Sequence, residues 1–125
     1  MGGKETVISM KISKVAELLN AQIRICGEYK EEEVFSACGS DMMSDVLAYV
    51  KNQAVLLTGL VNPQVIRTAE MMDMRCIVFV RNKIPSEAML ELAKECGIVV
   101  MTTDKRMYEA CGILYSNGLN NLEEE

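Results

Sequence analysis

Ala54-Val55-Leu56-Leu57, Cys76-Ile77-Val78-Phe79 and Ile98-Val99-Val100-Met101 are three wholly apolar runs that start 22 residues apart. Short apolar runs of this kind suit strands hidden on both faces, as in a parallel sheet. The residues between them carry helical stripes: Val65, Ile66, Ala69 and Met72 after the first run, Met89, Leu92, Ala93 and Cys96 after the second, and Met107, Cys111 and Leu114 after the third. Pro63 and Pro85 stand at equivalent places, where a fixed φ and a missing N–H suit the first turn of a helix. A repeated strand, loop and helix predicts parallel strands joined by right-handed crossovers. The expected fold is therefore α/β, a three-layer architecture with a mostly parallel sheet and helices on both faces. A leucine-rich solenoid has a similar period, but its Leu-x-x-Leu-x-Leu-x-x-Asn pattern is missing and three units are few.

Upstream of the repeat, Ile12, Val15 and Leu19 form an i, i+3, i+7 stripe with Ser13 suited to cap it, so a first helix ends near Asn20. Ile23 and Ile25 alternate with Gln22 and Arg24 as a short strand does. Gly27 to Glu33 reads as a charged turn, and Val34 to Ala37 as a second short strand. Gly39-Ser40-Asp41 then breaks the chain before a helix with Met43, Val46, Leu47 and Val50 on one face. Asp41 at its head suits both capping and the helix dipole. The organisation expected is an N-terminal extension over residues 1–9, one domain over 10–119 and an acidic tail over 120–125. Met1-Gly2-Gly3 with Thr6 also matches the start of an acylation signal, although a plain extension explains those residues more simply.

Composition narrows the chemistry. Half of the 125 residues are apolar and a quarter charged, an ordinary globular mixture able to bury a core. No apolar run approaches a membrane span and no secretory leader opens the chain, so the expected location is cytoplasmic. A net charge of −5 opposes broad binding to nucleic acid or anionic membrane. Histidine is absent, which removes His-based triads, His metal ligands and a near-neutral imidazole switch. The five cysteines, at 26, 38, 76, 96 and 111, are widely spaced without a Cys-x-x-Cys pair, so neither a disulfide framework nor a zinc ribbon fits. Cys38, just before a helix, is the one thiol that a helix dipole would activate.

In a parallel sheet, ligands bind at loops leaving the C-terminal strand ends. Four loops qualify: Cys38-Gly39-Ser40-Asp41, Thr58-Gly59-Leu60-Val61-Asn62, Arg81-Asn82-Lys83 and Thr102-Thr103-Asp104. With Ser44 and Asp45 on the helix after the first loop, they supply hydroxyls, amides and two cations able to hold a phosphate or carboxylate. The competing reading is that Ser40, Asp41, Asn62 and Asp104 only cap helices and form turns. Neither a Gly-x-x-x-x-Gly-Lys-Ser/Thr loop nor a Gly-x-Gly-x-x-Gly fingerprint occurs, so nucleotide hydrolysis and dinucleotide redox chemistry lack their phosphate cradle. Asp41 and Asp45 lie one helical turn apart, a spacing that two magnesium ligands share, but a carboxylate cluster at a helix head explains it equally. No metal, no cofactor and no catalytic residue is expected.

Residues 41 to 119 resemble the DRTGG domain, and the chain from Met10 is similar to its small stand-alone relatives. The resemblance rests on Ser40-Asp41-Met42-Met43-Ser44-Asp45-Val46-Leu47, Val55-Leu56-Leu57-Thr58, Asn62-Pro63-Gln64-Val65-Ile66, Ile84-Pro85-Ser86-Glu87-Ala88-Met89-Leu90 and Gly97-Ile98-Val99-Val100-Met101-Thr102-Thr103-Asp104. It implies a fold like the N-terminal domain of HPr kinase and a regulatory or accessory role, as for the domain found in phosphotransacetylases and CBS-pyrophosphatases. The name-giving Asp-Arg would align near Asn62-Pro63 and the Thr-Gly-Gly near Val80-Arg81-Asn82; neither is preserved. The resulting expectation is a non-catalytic domain that senses a small anionic or nucleotide-like ligand and acts through a homodimer or a protein partner. The alternative is a protein-protein interaction module without a small ligand. The resemblance connects that reading to redox proteins of the hydrogenase type, or to signalling proteins, in an anaerobic bacterium.

Overall fold

The three apolar runs form adjacent strands at the centre of one sheet. The computed structural model describes residues 9–25, 29–49 and 53–120. In chain order these form β1 (Met10–Lys11), α1 (Ile12–Leu19), β2 (Gln22–Ile25), a 3-10 turn (Tyr29–Glu31), β3 (Glu33–Val34), β4 (Ser36–Gly39), α2 (Met43–Tyr49), β5 (Ala54–Thr58), α3 (Pro63–Met71), β6 (Cys76–Phe79), α4 (Glu87–Cys96), β7 (Val99–Thr102) and α5 (Met107–Ser116). Expectations for residues 1–8, Cys26, Gly27, Glu28, Val50 and the tail from 121 lie outside the described residues.

The main sheet has five strands in the order β2-β7-β6-β5-β4. Strands β4 to β7 are parallel, with Cys38 opposite Leu56, Leu56 opposite Ile77 and Ile77 opposite Val100. Strand β2 runs antiparallel to β7, and its register shifts between Ile23 and Ile25. Strands β1 and β3 form a separate antiparallel pair.

Alternation along the central strands divides the core in two. Ala54, Leu56, Ile77, Phe79 and Val100 meet Met43 and Val46 of α2, Val65, Ile66 and Ala69 of α3, and Met89 and Ala93 of α4. Val55, Leu57, Cys76, Val78, Val99 and Met101 point the other way, against Ile12, Val15 and Leu19 of α1 and Ala110 and Leu114 of α5. Right-handed crossovers between strands taken in sequential order must put α2, α3 and α4 on one face, which leaves the other to α1 and α5. The three-layer, mostly parallel α/β fold is thus present.

Several local expectations are corrected. Lys11, not Ser13, precedes the first turn of α1 without a side-chain cap, and the Ser13 hydroxyl points to Glu31 instead. The end of that helix is as expected, with Asn20 in the left-handed region at φ 51°. The strand placed at Val34 to Ala37 is two strands, because Val34 pairs with Met10 while Ser36 to Gly39 join the main sheet. Leu47 is exposed on α2. Pro63 opens α3 as expected, whereas Pro85 is buried just ahead of Ser86, which caps α4. The repeat is accordingly regular in its strands and uneven in its helices, which begin at Pro63, Glu87 and Met107. Burial on both faces fixes strand spacing; loop length is free to vary.

Candidate functional site

The C-terminal ends of β4 and β5 are tied together by their own side chains. Ser40 accepts a hydrogen bond from the Met42 N–H at 2.9 Å, forming the turn into α2. The Asp41 carboxylate does not cap α2. It reaches the next strand, accepting from the Thr58 hydroxyl at 3.0 Å and the Gly59 N–H at 2.7 Å. Thr58 is buried, and its oxygen also accepts from the Leu60 N–H at 3.1 Å. Asn62 caps α3 by accepting from the Gln64 N–H at 2.8 Å. Ser44 and Asp45 are exposed on α2. The loop residues at this end are therefore spent on a turn, a helix cap and one link between the loops.

The ends of β6 and β7 differ. The chain leaves β6 toward α4 on one face and leaves β7 toward α5 on the other, although the two strands are neighbours. Loops that part to opposite faces leave a crevice at the strand ends, the usual place for a ligand in an open parallel sheet. Here the crevice is a depression of about 430 Å³ lined by Arg81, Asn82, Asp104 and Arg106. All four are exposed.

The walls are well anchored. Arg81 and Asn82 both have φ 58°, a left-handed turn that costs a residue with a side chain of order 1 kcal/mol. Cross-loop bonds hold it: the Arg81 N–H donates to the Lys105 carbonyl at 2.8 Å and the Asn82 N–H to the Thr103 carbonyl at 2.9 Å. Thr103 is buried, donates its hydroxyl to the Leu19 carbonyl at 2.8 Å and accepts from the Lys105 N–H at 3.3 Å. Thr102 is buried and accepts from Arg24 Nε at 3.1 Å, beside the register shift in β2. A bulge re-aims the side chain it carries, which is how an edge strand brings Arg24 to the end of β7.

Two features connect the crevice to its surroundings. Asn62 and Ser86 cap α3 and α4, but Arg106, at the head of α5, supplies no side-chain cap. The Arg81 guanidinium lies over the α-carbon of Gly59, so close that a methyl group there would overlap it. Glycine at 59 thus gives Arg81 its place between the crevice and the Asp41–Thr58 network.

Of the expected residues, Arg81, Asn82 and Asp104 converge on the crevice, Thr102 and Thr103 support it from beneath, and Ser40, Asp41, Thr58 and Asn62 build the closed neighbouring loops. Arg106 and Arg24 were not among them. Arg106 had a signal: a cation stands where the stripe beginning at Met107 calls for a capping residue. Among the described residues, no three His, Cys, Asp or Glu side chains gather as a metal would need. Helix-dipole activation of Cys38 is not seen; its thiol is pushed up, first by burial and then by Cys111 and Asp45. Burial likewise raises Cys76, Cys96 and Cys111.

The fold and crevice define a small three-layer α/β domain, DRTGG-like in architecture. Its fold is similar to a crystal structure of the CBS and DRTGG domains of the regulatory region of Clostridium perfringens pyrophosphatase, complexed with the activator diadenosine tetraphosphate; the TM-score is 0.72 at 15% sequence identity. The match takes in 92% of this chain and 50% of that one, so the chain spans about half the length of its structural counterpart. No family profile and no curated protein sequence matches. Among the described residues, no helix is long and apolar enough to cross a membrane.

Proposed function

We infer that the chain is a non-catalytic regulatory domain that senses a small anionic ligand in the crevice between β6 and β7 and transmits its occupancy to a second copy or a partner protein. The observation that carries this reading is the crevice itself, a depression lined by two arginines, an asparagine and one aspartate at the point where the loops diverge. The similarity in fold to a regulatory region crystallised with a nucleotide activator supports it. Cytoplasmic location, a 10–119 domain boundary and independence of cofactors belong to the same reading.

A ligand held by the folded state alone raises stability by about 2.7 kcal/mol at a concentration one hundred times its Kd. The test is therefore thermal unfolding against a mixed panel of nucleotides, phosphates, acyl phosphates and carboxylates, with Arg81→Gln/Arg106→Gln as control. An upward shift in the parent chain that vanishes in the double variant supports the reading. A flat response across the panel overturns it.

One observation favours an interaction module. Tyr108 is 93% and Tyr115 62% exposed on the outer face of α5, on a shallow open surface that also includes Cys111 and Gly112. Exposed aromatic residues along one helical face are typical of docking surfaces. If that face rather than the crevice is the functional surface, Tyr108→Ser/Tyr115→Ser will change the mass measured by light scattering, or partner capture, while ligand shifts stay absent.

A further inference from the structure

We propose that the group recognised in the β6–β7 crevice is a single phosphoryl group, borne on a small carrier that offers a hydroxyl or amino donor. This rests on the crevice being the ligand site. Donor supply favours phosphate. Arg81 and Arg106 line the same depression of about 430 Å³. One guanidinium fork satisfies both oxygens of a carboxylate, so two arginines at one depression supply donors enough for a tetrahedral dianion with three acceptor oxygens.

Second, the loop after β6 is not a phosphate-cradling nest of backbone amides. The N–H groups of Arg81, Asn82 and Lys83 are committed to the carbonyls of Lys105, Thr103 and Val80. An anion here is bound by side chains on a braced frame, with the uncapped start of α5 adding its dipole from the Arg106 side. The loop is bound in place before a ligand arrives, which lowers the ordering cost of binding.

Third, Asp104 shares the lining. Two arginines and one aspartate leave the crevice with a single formal positive charge, so every phosphate beyond the first adds charge that the lining does not offset, and one phosphoryl group leaves the smallest excess. A carboxylate beside an anion site repels a bare anion unless a hydrogen-bond donor lies between them. Asp104 therefore selects a carrier with a hydroxyl or amine near the phosphate, such as a sugar phosphate or a nucleoside monophosphate. The volume falls within the range of small-molecule pockets, toward the lower end.

The test uses calorimetric titration of the full chain with inorganic phosphate, ribose 5-phosphate, adenosine 5′-monophosphate, adenosine 5′-triphosphate, adenosine and succinate. Expected are a tighter Kd for the two monophosphates than for inorganic phosphate, succinate or the triphosphate, and no binding of adenosine. Equal affinity for the two monophosphates identifies the sugar phosphate as the ligand; tighter binding of the nucleotide adds the base. Arg81→Gln and Arg106→Gln should each weaken the monophosphates at least tenfold. Asp104→Ala should weaken them several-fold while leaving inorganic phosphate unchanged or tighter. Succinate binding as tightly as the monophosphates, with the arginine variants abolishing it, overturns the phosphoryl assignment and leaves the crevice standing. Monophosphate binding that survives both arginine variants overturns the assignment and the crevice together. No binding by any phosphate at millimolar concentration also rejects the phosphoryl assignment.

Discussion

The β4–β5 and β6–β7 ends of the sheet are built from similar residues and do opposite things with them. At β4–β5, Asp41 accepts from Thr58 and Gly59, Ser40 closes a turn and Asn62 caps α3, so the polar groups satisfy one another. At β6–β7 the backbone is bonded across the loops while Arg81, Asn82, Asp104 and Arg106 line an open depression. The difference follows from connectivity. Both loops at β4–β5 turn toward the same face and lie against each other, whereas those at β6–β7 part to opposite faces. Polar composition at a strand end is thus insufficient to mark a site; the direction taken by the following helices decides whether those groups meet each other or open space.

The closed and open ends rest on different supports, and substitution can remove each. The largest effect is expected from Thr103→Val, which keeps shape but leaves the buried Leu19 carbonyl and the Lys105 N–H without their partner. The cost is about 1–3 kcal/mol, read as a lower denaturant midpoint at unchanged slope. Asp41→Ala removes the acceptor for Thr58 and Gly59 at a more exposed position. It should cost about 1 kcal/mol, and Asp41→Asn less, since one acceptor oxygen remains. By contrast, Arg81→Gln and Arg106→Gln at the open end should each stay within about 0.5 kcal/mol of the parent chain. A large stability loss in the arginine variants, or none in Asp41→Ala, would invert the contrast between a closed and an open end.

Gly59→Ala sharpens the relation between the two ends. The added methyl displaces the Arg81 guanidinium, so ligand affinity should fall several-fold while the Asp41 hydrogen bonds remain; unchanged affinity would show that Arg81 acts from another position. The smallest effect at neutral pH concerns the thiols. Burial raises the pKa of all four described cysteines from an ordinary 9.0. The folded state therefore holds its protons more tightly than the unfolded one. That contribution is complete below pH 9.0 and is lost as pH climbs through the raised values, so the unfolding midpoint should fall in alkali. Thiol-reagent labelling at neutral pH should be slow at Cys38; rapid labelling there would contradict the pKa direction.

Much of the layered architecture was legible because burial on both faces leaves a strong mark. The runs at Ala54, Cys76 and Ile98 had to be apolar throughout, and the stripes on Val65, Met89 and Met107 had to face them. Caps that act within a few residues were readable in part: Asn62 and Asn20 did what their local chemistry favours, while Ser13 and Asp41 found partners far along the chain. No local rule specifies that Asp41 will meet Thr58 and Gly59, because that contact exists only once β4 and β5 lie side by side. The same holds for Arg24, which reaches Thr102 across an antiparallel edge pairing.

By itself, then, the sequence determined a parallel α/β sheet with helices on both faces, an absence of imidazole chemistry and a set of polar loops at the strand ends. Periodicity and residue type are local properties, and these conclusions require no more. Only the tertiary structure decided which loops close and which open, that Arg106 joins Arg81, and that Thr103 braces the frame beneath them. Those outcomes depend on which face each helix occupies and which strands are neighbours, relations between residues distant in the chain that packing alone creates.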